Sequence, residues 1–188
     1  YDGTEQELIQ AGSTTGGTLK YSLSATGTYT TDIPKAKNAG PYTVFYKVEG
    51  NDNYNGDNGG SVAVTIGTKH LTITAGSDSK TYDGTALTKN SYTNTALAAG
   101  DSIISVTITG SQKVFGNSNN VASVAVIKNA AGTDVTSSYN ITYTNGTLNV
   151  TKRDVTVSVA DKTVSYTEAE QTGNTSYTFA NVASGGNA

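Results

Sequence analysis

Apolar and polar residues alternate with period two along several short stretches of the chain, the pattern of half-buried β-strands. The clearest runs from Tyr42 to Val48. Tyr42, Val44, Tyr46 and Val48 share one face, and Thr43, Phe45 and Lys47 share the other. Shorter runs predict strands at Glu7-Leu8-Ile9, at Leu19 to Leu23 and at Val62, Val64 and Ile66. Leu71 and Ile73 alternate with Thr72 and Thr74; Ile104, Val106 and Ile108 form one face of a further strand, and Val124 and Val126 belong to another. Val155, Val157 and Val159 open a last one, and no stretch reads as a long helix. Asn145-Gly146 sits between the alternating runs Ile141 to Thr144 and Thr147 to Val150. That dipeptide predicts a type I′ hairpin, with the two strands adjacent and antiparallel.

A second pattern has a longer period. Lys80-Thr81-Tyr82-Asp83-Gly84-Thr85 is anticipated by Tyr1-Asp2-Gly3-Thr4 and followed by a worn copy, Ser165-Tyr166-Thr167-Glu168. The tyrosines stand 81 and 84 residues apart. Lys69 to Ala75 precedes the second copy as Lys152 to Ser158 precedes the third. A fixed period indicates tandem modules. The expected boundaries are 1–68 for a first module lacking its first strand, 69–151 for a complete one and 152–188 for the start of a third. Modules of this size bury only a modest core. The turn has a physical rationale. Gly takes positive φ without steric cost, Asp bonds backbone two residues on, and the Tyr ring can cap a small core with its hydroxyl at the rim. Loss of the glycine at Thr167-Glu168 puts the same turn in question there.

Composition narrows the function. Net charge is −3 and charged residues make up 14% of the chain, so there is no basic patch for phosphates and nucleic-acid binding is not expected. No apolar run approaches the roughly 18 residues of a membrane helix. No signal peptide is evident and the first residue is Tyr, so an internal fragment is expected, with any export signal or wall anchor outside it. Cys is absent, whereas a secreted animal immunoglobulin-type chain usually carries disulfides.

Before the Tyr42 strand, Ala39-Gly40-Pro41-Tyr42-Thr43-Val44 resembles the tyrosine corner of immunoglobulin-like sandwiches, with Val44 at the core position two residues on. The fold class expected is therefore all-β, as tandem small immunoglobulin-like β-sandwich modules, with β-grasp-like modules as the alternative. A wider resemblance rests on Lys80 to Leu87, the Gly100-Asp101 step, Ser138-Tyr139-Asn140-Ile141 and Asn145 to Arg153. Together these resemble the YDG and MBG-type repeat domains of large bacterial cell-surface proteins. Tyr21-Ser22-Leu23, Ala39 to Tyr42 and Tyr46-Lys47-Val48 look like the companion type, as do Ser165 to Gln171 and Tyr177-Thr178-Phe179. The resemblance implies adhesin-like, multi-module proteins outside the cell, on the bacterial surface or wall. It implies no catalytic residues.

Candidate chemistry is sparse. His70 is the one histidine, placed in the expected linker, and no Gly-x-Ser-x-Gly elbow occurs, so no nucleophile–base pair and no enzyme is expected. Asp and Glu are scattered, with no pair placed to hydrolyse a sugar. Asp52, Asn53, Asn55 and Asp57 offer hard oxygen donors that could take Ca²⁺, but without the spacing or bidentate Glu of an EF-hand loop; a polar turn is the plainer reading. No other cofactor is expected. Tyr42, Tyr46 and Tyr54, if exposed together, would suit a glycan, mucin or matrix protein; if buried, they would favour a spacer. Asn-x-Thr/Ser triplets at Asn140, Asn145, Asn149 and Asn174 matter only in a eukaryotic secretory context. The expected partners are neighbouring modules of the same polypeptide, with a host glycan or matrix protein as the further candidate. The function expected is a non-enzymatic spacer of a surface stalk, with a ligand-binding module as the alternative.

Overall fold

The computed structural model describes residues 1–170 and 177–180; Gln171 and Asn174 lie outside the described residues. Fourteen strands and one three-residue 3-10 turn, Thr136–Ser138, account for the regular structure among them. The protein is all-β and sandwich-like.

In the first part of the chain β1 (Gln6–Glu7) pairs with β3 (Lys35–Ala36), and β2 (Thr18–Ser22), β4 (Gly40–Glu49) and β5 (Asp57–Ile66) form an antiparallel sheet in the order β2-β4-β5. The register places Tyr42 opposite Val64 and Val44 opposite Val62, with a bulge between Tyr46 and Val48. Further along come β6 (Lys69–Ala75), β7 (Asp78–Thr81), β8 (Tyr92–Asn94), β9 (Asp101–Thr109), β10 (Gly116–Asn129), β11 (Tyr139–Thr144) and β12 (Gly146–Thr151). They form two sheets, ordered β7-β12-β10-β9 and β11-β6-β8. β7 runs parallel to β12, Asp78 to Thr81 lying against Leu148 to Thr151. β13 (Thr156–Val159) pairs antiparallel with β14 (Tyr177–Ala180).

The chain folds as two compact units, each gathered from separate stretches. One comprises Tyr1–Ile73, Asn94–Thr107 and Ser123–Tyr143. Leu8, Tyr21, Val44 and Ile66 form a core cluster there, with Tyr1, Tyr42 and Tyr46 packed against it. The other comprises Thr74–Thr93, Ile108–Ala122 and the described residues from Thr144 on, with a smaller cluster of Leu87, Leu148 and Val150 capped by Tyr82.

The tyrosine corner forms as the sequence suggests. The Tyr42 hydroxyl donates to the Asn38 carbonyl at 2.8 Å, four residues back, and Val44 is fully buried. His70 differs from expectation: it is exposed but inside β6, within 3.3 Å of the Thr72 hydroxyl.

One further expectation is corrected, and the strand expected at Val124 and Val126 forms within β10 but with an irregularity. Asn145-Gly146 does not make a hairpin: β11 and β12 belong to different sheets, and neither residue has positive φ. A Cβ on Gly146 would fall on the Gly76 carbonyl oxygen, so this glycine is a point of close backbone approach as the chain changes sheets. The face of β10 also shifts. Asn120 and Ala122 are buried before Val124, and Ala125 and Ile127 after it, while Val124 itself is exposed at φ 47°. Such a φ in a β-branched residue marks a bulge that resets the alternation by one residue. It turns Ala125 and Ile127, rather than Val124 and Val126, towards the core.

Candidate functional site

The recurring Tyr-Asp-Gly turn is built alike in its first two copies. Asp2 Oδ1 accepts the Thr4 N–H and hydroxyl, each at 2.8 Å. Asp83 Oδ1 accepts the same two groups of Thr85 at 2.9 and 2.8 Å, and also the Lys80 ammonium at 2.8 Å. These bonds stabilise the carboxylate and hold both aspartates below the ordinary range: for Asp83 the Lys80 ammonium is the larger cause, and for Asp2 the Thr4 N–H. The glycine follows at φ 83° in Gly3 and 84° in Gly84, where any other residue would be strained. The third copy lacks that glycine, and Tyr166 there is 91% exposed.

Three residues of the longer motifs meet at the first copy. The Tyr1 and Tyr139 hydroxyls both donate to Asp101 Oδ2, each at 2.7 Å. Their rings meet edge to face with centroids 5.5 Å apart. Tyr139 also accepts the Ala98 N–H at 2.9 Å. The backbone completes the joint through Ala99 N–H to the Asp2 carbonyl at 3.2 Å. Burial, with the neighbouring Asp101 carboxylate, pushes Tyr139 up to about 12 and raises Tyr1 as well. Asp101 Oδ1 is buried without a hydrogen-bond partner among the described residues. This constellation holds its hydroxyls protonated, and its donors are spent on one carboxylate oxygen.

The tyrosines proposed for ligand contact are not brought together. Tyr42 and Tyr46 lie partly buried against the core cluster, and Tyr54 is 55% exposed in the loop beyond β4. Roughly 25 Å of extended strand separates Tyr42 from that loop. Among the oxygen donors, Asp52, Asn53, Asn55 and Asp57 are all exposed. Asn51 organises the loop by accepting the N–H groups of Asn53 and Tyr54 at 3.0 Å each. Asp57 is committed to the Gly59 N–H. No group of three or more His, Cys, Asp or Glu is placed to hold a metal among the described residues.

One pair of candidates does converge. Tyr46 and Asp57 line a cleft of about 390 Å³ with Ile9, Leu19, Val48 and Val62, and with Ser13 and Thr14 as polar members. The Tyr21 hydroxyl, also lining it, accepts the Gly12 N–H at 2.8 Å.

No family model, curated protein or solved structure matches the chain. The reading of the site therefore rests on these residues.

Sequence reasoning missed two of them in their roles. Asp101 stood only as part of a Gly-Asp step, with nothing local to pair it with Tyr1 or Tyr139. Asn120 was not singled out, yet it is fully buried and donates to the Gly76 and Lys89 carbonyls at 2.9 and 2.7 Å. Its one local signal is a polar residue in the apolar phase of a strand that continues as Ala122.

Proposed function

We propose that this chain is a non-enzymatic spacer segment of a tandem-repeat, adhesin-like protein of the bacterial surface. The observation that carries this reading is how the recurring residues are used. Tyr1, Asp2, Asp101 and Tyr139 spend their side chains on turn geometry and on hydrogen bonds between distant stretches of the chain, and Gly3 supplies the positive φ and close backbone approach of the turn. Residues that recur to hold a fold need no ligand to explain their recurrence. The partial burial of Tyr42 and Tyr46 supports the same view. Short connections and neighbour-to-neighbour packing would make such an array semi-rigid. The location outside the cell rests on the resemblance of its motifs to those of bacterial surface repeats.

The cleft at Tyr46 and Asp57 favours a second reading, a module that itself binds a host glycan, mucin or matrix protein. A glycan array with immobilised mucin and matrix proteins, run with calcium and with chelator, separates the two. The spacer reading expects no saturable binding from folded protein. Saturable binding abolished by Tyr46→Ser or Asp57→Ala would overturn it.

A further inference from the structure

The two intact Tyr-Asp-Gly turns differ in what covers them. At the first, Gly3 is buried, and a Cβ there would meet the Ala99 carbonyl oxygen at 2.5 Å. The Tyr1 ring packs on its core cluster while its hydroxyl reaches out to Asp101. At the second, the Tyr82 ring likewise packs on Leu87, Leu148 and Val150. Its hydroxyl, however, has no hydrogen-bond partner among the described residues, and Gly84 is only half-buried.

The strands that precede the turns differ in the same sense. Leu71, Ile73 and Ala75 stand 11, 9 and 7 residues before Tyr82 and are 0%, 0% and 2% exposed. Val155, Val157 and Val159 stand 11, 9 and 7 residues before Tyr166 and are 55%, 54% and 64% exposed. β6 lies between β11 and β8 in its sheet, whereas among the described residues β13 has β14 alone beside it. Apolar residues in the same phase of the same repeat are thus covered in one copy and bare in the next.

We propose that β13 and the Tyr82 turn form a docking surface for a further β module of the same repeat. A strand equivalent to β11 would pair with the edge of β13 opposite β14, and the module it belongs to would cover Val155, Val157 and Val159. A carboxylate at the position of Asp101, flanked by a tyrosine like Tyr139, would accept the Tyr82 hydroxyl. The occupant follows from the two earlier copies: before the second, this apolar phase is buried in a strand with β8 and β11 beside it, and at the first, the tyrosine hydroxyl is met by the Asp101–Tyr139 pair. The proposal rests on the reading of the chain as part of an array.

The test grafts a second copy of the Asp83 to Thr151 sequence after Tyr166 in the full chain, so that the Tyr-Asp-Gly turn is kept in phase. Amide hydrogen exchange is then followed in Thr156 to Val159. Exchange there is expected to slow about tenfold or more, and Tyr82→Phe is expected to return part of that protection. Unchanged exchange in β13 beside a protected graft would overturn the docking surface. The present chain gives a measurement that needs no graft. Tyr1→Phe and Ile73→Ser should lower the urea midpoint, while Tyr82→Phe and Val157→Ser leave it in place. A loss from Tyr82→Phe equal to that from Tyr1→Phe would show its hydroxyl already engaged and sink the proposal. Binding in the glycan and matrix screen would overturn the spacer reading without touching β13 protection, so the two fail separately.

Discussion

Tyr139 concentrates the consequences of a single hydroxyl. It donates to Asp101 and accepts from the Ala98 N–H, both in partly or fully buried surroundings. Tyr139→Phe leaves the buried Ala98 N–H unpaired and Asp101 Oδ2 with the Tyr1 hydroxyl alone, and should cost about 1–3 kcal/mol in urea denaturation. The same pair gives a pH signature. The folded state holds the Tyr139 proton more tightly than the ordinary value of 10.0, up to about 12, and Tyr1 shifts the same way. A raised folded pKa contributes stability that is fully present below pH 10 and is lost as pH rises through about 12. The urea midpoint should fall across that window, and Tyr139→Phe should flatten the fall. Val124 is the opposite case. It holds φ 47° with 69% of its surface exposed, so little burial offsets the strain. Val124→Asn, which tolerates the left-handed region, should raise stability by about 0.5–1 kcal/mol; thermal denaturation measures it. A drop would mean that the valine side chain contributes more than its exposure indicates.

At the scale of elements, the strands were legible in the sequence and their partners were not. Period-two alternation placed β4, the apolar half of β5, and β6, and the corner at Tyr42 was readable because its hydrogen bond is only four residues long. The Tyr-Asp-Gly turn was readable for the same reason, since its bonds lie within three residues of chain apart from the Lys80 contact. Asn145-Gly146 failed because the local signal for a hairpin is identical to that for a glycine needed where two backbones meet. The strand holding Val124 and Val126 was legible, but its bulge was not, because Val-Ala-Val-Ile alternates equally well in either phase. The Asn-Gly question has a direct test. In a type I′ turn both residues matter, whereas here Asn145 is exposed and Gly146 is buried against the Gly76 backbone. Asn145→Ala should therefore change stability by less than about 0.5 kcal/mol, and Gly146→Ala should cost about 1–3 kcal/mol through overpacking. Equal losses from the two would restore the hairpin.

Across the whole molecule, the period of the sequence says which residues recur, and the three-dimensional arrangement says what the recurrence is for. Tyr1 and Asp101 are separated by 100 positions and Tyr1 and Tyr139 by more, so no local rule could join them. Their meeting makes the Tyr-Asp-Gly turn a joint between stretches that the repeat separates, and that joint is the ground for reading the chain as a spacer. A double-mutant cycle of Tyr1→Phe with Asp101→Ala, followed by urea denaturation, tests it most directly. A structural joint predicts a coupling of about 1 kcal/mol or more between the two substitutions. Losses that add to within about 0.3 kcal/mol would show that the recurring tyrosine does not hold the fold through Asp101, and would contradict the account.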